Sequence, residues 1–507
     1  MKQRSKFLIR RCIYGIRSQL CRRCIRLVSV LGIFQPIVLC MGCILLVNGC
    51  KKFIEIDAPI TSIATSNVYT SDATAASVMT GLYANFSSLT IDYTNPSFVT
   101  MYLYPALSAD ELTLFNLNDE SYSGFYSNNL TPFSLNYWNN LYSAIFVANS
   151  AIEGLTNSTS LSSNVKRQLL GEAKFMRAFC YFYLTNLYGD VPLAITSDYR
   201  VNSVLRRSPK ADVYQHIVED LKESENLLSD NYLQPDALTA YEVGEVQRLR
   251  PTMWAAAALL ARVFLYIGDN AGAETQATAV INNVSLFGLG ALKDVFKMNS
   301  SETIWSLQPV FSATNANTGD GALFILPTTG PNTFPNVVYL NNAVVNSFEI
   351  GDQRRADWIG TVEADGNTYY FPYKYKIGAE DVTTGEYIVV LRLAEQYLIR
   401  AEARVQQNNI AGAQSDLNQI RTRAGLSVTP AGDKKSLLAA IMHERQVELF
   451  TEWGHRWFDL KRTNTVDAVM TDIAPGKGGV WSSYKALYPI PQSEINTNPN
   501  LVQNTGY

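Results

Sequence analysis

Three histidines, seven cysteines and 45 carboxylates are the side chains in this 507-residue chain with the most reactive chemistry. His443-Glu444-Arg445 opens like the zinc-protease helix, in which histidines four residues apart hold the metal and the glutamate acts as base. Position 447 is Val, so the second ligand is missing, and neither a metal nor another cofactor is expected. His216 and His455 are far apart with no ligand spacing. Gly288-Leu289-Gly290 lacks the third glycine and the lysine of a phosphate loop. Beyond residue 50 there is no nucleophile elbow and no paired CxxC, and the carboxylates fall in no pattern that selects an acid–base pair for glycoside hydrolysis. The remaining chemistry is that of binding. Residues 98–126 and 311–346 are dense in Tyr, Phe, Asn and Asp without helical or strand periodicity.

The elements that must position those segments read as helices. Tyr214, Ile217, Leu221 and Leu228 mark one helix face, with Ser208-Pro209 as cap and first helical residue. Trp254 to Gly268 is Ala-rich, and Ala271 to Ile281 follows a Gly268-Asp269-Asn270 turn. Ala394, Tyr397, Leu398, Ala401 and Val405 form one stripe; Ile410, Ala413, Leu417, Ile420 and Ala424 form another, with Gly425 as stop. Leu391 to Ala424 has the 34-residue period of a tetratricopeptide pair. Tyr137–Leu155 and Val165–Tyr188 make a further pair. The expected fold is mostly α, a tetratricopeptide-like scaffold of about four helix pairs with a loop-rich irregular portion containing short strands. Scaffold is assigned to 70–92, 137–283 and 391–462; irregular segments to 93–135, 300–390 and 471–507. Strand-like runs lie at Thr303–Leu307, Tyr369–Tyr375 and Tyr387–Leu391. Leu438, Met442, Arg445 and Leu449 share a stripe that carries Arg445 to the core edge, where it needs a carboxylate; Glu448 is one candidate. The Trp453, Trp457, Phe458 cluster reads as a packed helix corner. Cys180, inside a dense apolar stretch, reads as a core residue.

The amino terminus stands apart. The first fifty residues hold six of the seven cysteines, nine Lys or Arg and no Asp or Glu. The rest carries 33 basic against 45 acidic residues, which argues against nucleic acid as a partner. A basic flank, an apolar run from Leu27 to Val47 and Gly49-Cys50 followed by Lys51-Lys52 make an export signal ending in a lipobox-like cysteine. Residues 1–49 are therefore expected to be a lipoprotein signal peptide, Cys50 the lipidation site and 50–507 a single body. The alternative is an uncleaved anchor, since the run is long enough to span a bilayer.

Four motifs in order give the body a resemblance. They are Gly171-Glu172-Ala173-Lys174-Phe175-Met176-Arg177 continuing to Tyr188-Gly189-Asp190-Val191-Pro192; Leu391-Arg392-Leu393-Ala394-Glu395 with Ile420-Arg421-Thr422-Arg423-Ala424-Gly425; Glu444-Arg445-Gln446-Val447-Glu448 running into Gly454-His455-Arg456-Trp457-Phe458-Asp459; and Tyr488-Pro489-Ile490-Pro491 with Glu494-Ile495-Asn496. With the lipobox, they resemble the SusD-like (RagB/SusD) family of outer-membrane nutrient-binding lipoproteins. The resemblance implies a four-repeat tetratricopeptide scaffold, a surface location on the outer membrane, a glycan ligand and a SusC-like TonB-dependent transporter as partner. It implies capture without catalysis; a non-glycan nutrient such as peptide, or a glycoside-processing enzyme, are the alternatives. Arg392, Glu395, Glu402, Arg421 and Arg423 read as scaffold ion pairs, so the binding face is sought in the irregular segments. Sugars present flat C–H faces rimmed by hydroxyls, which calls for aromatic rings beside amides and carboxylates. The candidates are Tyr102, Tyr104, Asp110, Phe115, Asn116 and Tyr122 in the first segment, and Asn317, Asp320, Phe334 and Tyr339 in the second.

Overall fold

The computed structural model describes residues 68–88, 91–92, 95–96, 98–242, 244–310, 317–378 and 384–507. The expected signal peptide 1–49 and the lipidation site Cys50 lie outside the described residues.

Apolar stripes and short capped turns set the helices. They are α1 (Asp72–Ser87), α2 (Trp138–Asn157), α3 (Ser163–Tyr188), α4 (Lys210–Leu227), α5 (Met253–Ile267), α6 (Asn270–Asn282), α7 (Leu393–Gln406), α8 (Ile410–Arg423), α9 (Lys434–Glu448) and α10 (His455–Arg462). From α2 to α9 each helix packs against the next, so the succession amounts to four helix pairs. Tight turns make this possible. Gly268 ends α5 at φ +81°, and Asp269 Oδ1 accepts from Gly272 N at 2.9 Å to start α6. Small residues allow the approach: Ala255 to Ala258 and Ala261 of α5 are buried, and a Cβ on Gly171 of α3 would stand 2.9 Å from the Leu228 side chain. Ser208 does not cap α4 as expected. It pairs in a two-residue strand with Val191, the N-cap is Pro209, and Asp190 Oδ1 accepts from Lys210 N at 2.8 Å instead.

Buried arginine–carboxylate pairs stitch helix to helix. Arg177 meets Asp220 at 2.7 Å (α3 to α4), Arg262 meets Glu395 at 2.6 Å (α5 to α7) and Arg400 meets Asp416 at 2.7 Å (α7 to α8). Arg445 pairs with Asp459 at 2.7 Å rather than with Glu448. The left-handed turn through Thr451, Trp453 and Gly454 folds α10 back over α9, while Glu448 is already engaged by three arginines. Trp453, Trp457 and Phe458 are buried at this corner, and so is Cys180, whose thiol pKa burial drives up.

The irregular portion holds strands β1 (Leu112–Leu114), β2 (Thr303–Leu307), β3 (Val338–Leu340), β4 (Ile359–Ala364), β5 (Asn367–Pro372) and β6 (Ile388–Arg392), joined in antiparallel pairs β1–β3, β2–β6 and β4–β5. It also contains short helices that periodicity does not reveal, including Glu120–Tyr126, Gly319–Phe324, Asn342–Asn346 and Gln353–Trp358. Each of these begins at a side-chain cap: Asp119, Thr318, Asn341 and Asp352 respectively. A helix of one or two turns has no repeat to read, but its cap is local. Strand β2 lies on the scaffold through Trp305, whose ring meets Phe175 at 4.9 Å and Phe179 at 5.3 Å, both edge-on.

Where the two portions meet, a charge network is buried. Arg392, at the junction of β6 and α7, bonds Glu302 at 2.9 Å, Glu448 at 2.6 Å and Glu452 at 2.7 Å. Arg423 reaches Glu302 at 2.6 Å and also touches Glu448; Arg354 bonds Asp352 at 2.7 Å, Glu444 at 2.6 Å and Glu448 at 2.8 Å. Burial alone would raise the Glu448 pKa, but Arg423, Arg392 and Arg354 hold it well below the usual carboxylate range. Lys374 contacts Glu452 and sits 4.0 Å from the Phe450 ring centre; burial lowers its pKa to about 8.

Removing one partner leaves a buried charge unpaired. Arg392→Ala is expected to cost about 3–5 kcal/mol in chemical denaturation. Arg200→Ala, which removes a pair whose arginine is 75% exposed, should leave the denaturation midpoint unchanged. A pH effect is expected at Glu111, a buried residue whose Oε1 accepts from Thr451 N at 3.0 Å. Burial foremost, with Asp110 adding and Arg456 and Lys374 opposing, raises its pKa from 4.5 to about 8. The folded state thus keeps a proton that the unfolded chain releases, and its contribution is full below pH 4.5 and lost as pH rises to about 8. Denaturation curves from pH 5 to 9 should show Glu111→Gln gaining on the parent with rising pH, by on the order of 3 kcal/mol. Parallel curves would refute the assignment.

Candidate functional site

The two aromatic–amide segments meet in one short ladder. Strand β1 from the first pairs with β3 from the second, Leu112 opposite Leu340, Thr113 opposite Tyr339 and Leu114 opposite Val338. Alternation puts Leu112, Leu114, Val338 and Leu340 in the core and leaves Thr113 and Tyr339 on the other face, both partly accessible. Phe115 N donates to Val337 O at 2.9 Å and Asn341 N to Glu111 O at 2.8 Å, so the pairing extends one residue at each end.

Past its end the ladder presents apolar residues to solvent: Phe115 is 43% exposed, Leu117 58% and Phe334 53%. Local turns fix them. Asn116 Oδ1 accepts from Asn118 N at 3.1 Å behind Phe115. Asn332 Oδ1 accepts from Phe334 N at 2.9 Å and Asn336 N at 3.0 Å, while Asn336 Nδ2 donates to Leu323 O at 2.8 Å. Tyr339 meets Tyr369 of β5 edge-on at 5.1 Å, which carries the aromatic surface onto the β4–β5 hairpin.

Of the ten residues expected to touch ligand, Phe115, Asn116, Phe334 and Tyr339 are accessible and stand on this edge. The other six are corrected by the structure, because all are buried. Tyr104 lies 5.8 Å from Tyr122 in a stacked pair and 4.4 Å from Phe125, so both tyrosines form the foundation of the edge. Tyr102 packs against Phe324 at 5.2 Å. Asp110 is held by Arg456 through bonds of 2.8 and 2.6 Å. Asn317 Oδ1 accepts from Gly385 N at 3.0 Å. Asp320 sits within the first turn of its short helix, its carboxyl pKa pushed well up by burial. Composition marks such segments but cannot separate rings that anchor a loop from rings it displays. Leu117 and Tyr369 were missed: the first is an ordinary apolar residue, and the second lies on a strand far away in sequence.

Of the five carboxylates in these segments, Asp119 caps the Glu120–Tyr126 helix and Glu120 is exposed. Asp110, Glu111 and Asp320 are all buried, and none of the three faces solvent beside the rings. Below β1, Lys477 Nζ donates to Leu107 O and Ala109 O, each at 2.6 Å, and burial lowers its pKa to about 7. What the edge offers is an open strip of rings with amides at its margin, suited to stacking and hydrogen bonding.

Comparison with known proteins agrees with this architecture. Residues 53–265 match a family model described as "Starch-binding associating with outer membrane", and residues 355–507 match the SusD family model. SusD-like protein P2 of Formosa agariphila is 27% identical over 425 residues, 73% of this chain and 80% of that protein. A SusD superfamily protein of Parabacteroides distasonis superposes with a TM-score of 0.72 at 24% identity, over 86% of this chain and 99% of that one. A structure described as a laminarin binding SusD-like protein superposes with a TM-score of 0.67 at 22% identity, over 86% of this chain and 98% of that one. The helix-pair scaffold, its short-stranded irregular portion and both family models thus coincide along one body, and the chain belongs to the SusD-like family of starch- and glycan-binding proteins associated with the outer membrane.

Proposed function

We propose that this protein is a cell-surface lipoprotein, anchored through Cys50, that captures an oligosaccharide or polysaccharide on the Phe115–Phe334 edge and delivers it to a SusC-like TonB-dependent transporter without chemical change. The observation that carries the binding site is the pairing of β1 with β3, which gathers exposed rings from two distant segments onto one edge. An open edge rather than an enclosed cavity suits a polymer, whose chain must enter and leave along its length. Membership of a starch-binding family and a laminarin binding structural neighbour support the ligand class. The scaffold helices α2–α9 leave the edge to the loops, as binding surfaces on rigid supports usually are arranged.

The direct test is retention of the purified protein in gels containing laminarin or amylopectin, with reducing ends assayed in parallel. At least one glycan should retard the protein and no reducing ends should appear. Phe115→Ala and Phe334→Ala should each weaken binding about five- to tenfold with melting temperature unchanged, as expected for one exposed ring removed. Binding to neither glycan, or sugar release abolished by a carboxylate substitution, would overturn the reading. For the anchor, Cys50→Ala should abolish labelling by a palmitate analogue and release the protein from the membrane fraction; continued labelling would place the lipid elsewhere. Co-purification with a large β-barrel transporter is the expected outcome for the partner.

A further inference from the structure

A separate groove lies on the scaffold, between α2, residues 192–205 and the C-terminal 494–501 segment, with a volume of about 370 Å³. That is within the usual range of small-molecule sites, roughly 300–1,000 Å³. Helical spacing aligns Trp138, Tyr142 and Phe146 on one face of α2, and Tyr199 comes from the short helix Tyr199–Asn202. Trp138 is buried at the base, whereas Phe146 is 52% exposed and Tyr199 75%. Two large aromatic side chains so open to solvent beside a concave site are not accounted for by packing.

The polar lining is one-sided. Trp138 donates its indole N–H to the Glu494 carboxylate, which half-burial holds above its ordinary pKa. Three further donors are engaged, Tyr142 Oη on Pro192 O at 2.7 Å, Asn202 Nδ2 on Thr196 O at 2.7 Å and Asn498 Nδ2 on Leu205 O at 2.8 Å, while the Tyr199 hydroxyl is exposed. Glu494 has a neutral donor opposite it rather than a cation. No Lys, Arg or His lines the groove among the described residues. The nearby Arg207, which influences Tyr142, directs its N–H groups to Asp190 O, Val502 O and Asn504 Oδ1. The fitting occupant therefore brings a flat apolar face and positive charge. An acidic sugar would place its own charge against Glu494.

We propose that this groove is a second ligand site, selective for a saccharide residue that carries a protonated amine. Phe146 and Tyr199 take the C–H face of the ring and, with Glu494, the ammonium group. The site does not depend on the Phe115–Phe334 edge, so the two readings fail separately.

The test is calorimetric titration of the purified protein with a β-1,4-linked glucosamine tetramer, its fully N-acetylated counterpart and trilysine. The glucosamine tetramer should bind, and the acetylated tetramer and trilysine should each bind at least about fivefold more weakly. Tyr199→Ala, at an exposed position, and Glu494→Gln, which keeps an acceptor for Trp138 but removes the charge, should each reduce glucosamine binding about fivefold. Phe115→Ala should leave it unchanged. No binding of the glucosamine tetramer, equal binding of the acetylated form or of trilysine, or sensitivity to Phe115→Ala alone would overturn the proposal.

Discussion

The buried arginine–carboxylate network around Glu448 is the constraint on which the rest of the structure depends. Arg354, Lys374, Arg392, Arg421 and Arg423 face Glu302, Glu349, Asp352, Glu444, Glu448 and Glu452, so each cation has at least one carboxylate partner. Its members come from α8, α9 and the turn after α9 in the scaffold, and from the residue before β2, the β5–β6 segment and the Gln353–Trp358 helix with its cap in the irregular portion. Trp358 lies beneath three of the cations, 5.0 Å from Lys374, 5.8 Å from Arg423 and 5.9 Å from Arg392. Taking so many charges from water is costly, and their mutual attraction offsets that cost only when every member is in place. The network therefore acts less as added stability than as a registry device. An irregular portion with few repeats of its own can dock in only one way.

That docking is what allows a loop layer to present a defined edge. Strands β1 and β3 are three residues each, too short to hold themselves in register. They are held from below by the Tyr104, Tyr122 and Phe125 stack, by Arg456 on Asp110 and by Lys477 on the backbone of residues 107 to 109. Each of these anchors reaches in from the C-terminal third of the chain or from a neighbouring helix. The exposed rings can then be few, because their foundation is rigid and little order has to be imposed when a ligand arrives.

The two candidate surfaces differ in chemistry. The edge is open, made by loops and flanked by amides; the groove is concave, made by α2 and residues 494–501, and carries one carboxylate and no cation among the described residues. A protein with both would hold a polymer along one surface and read a particular substituent at the other. Exposed rings suit any pyranose face, whereas Glu494 would discriminate by charge.

Much of the scaffold was legible in the sequence because helix periodicity is a local property. The 34-residue pair from Leu391 to Ala424, the Gly268-Asp269-Asn270 turn and the Gly425 stop appear where the residues place them. Ser208 was misread as a cap because the group that satisfies Lys210 N, Asp190, belongs to the preceding turn. Arg445 was correctly given a buried carboxylate, but the identity of that carboxylate depended on α10 folding back to bring Asp459 within reach. At the candidate site the residue types pointed to two segments that the structure pairs, and four of the ten residues singled out are accessible on the edge they form. Six others were core, since burial is set by what packs above a side chain and not by its own chemistry. The sequence by itself determined the helix pairs, the segments rich in binding chemistry and the family, all of which are written in neighbouring residues. Only the tertiary structure decided which rings face solvent, how β1 meets β3 across more than two hundred residues and where Glu494 meets Trp138, because each of those is a contact between distant segments that no local pattern encodes.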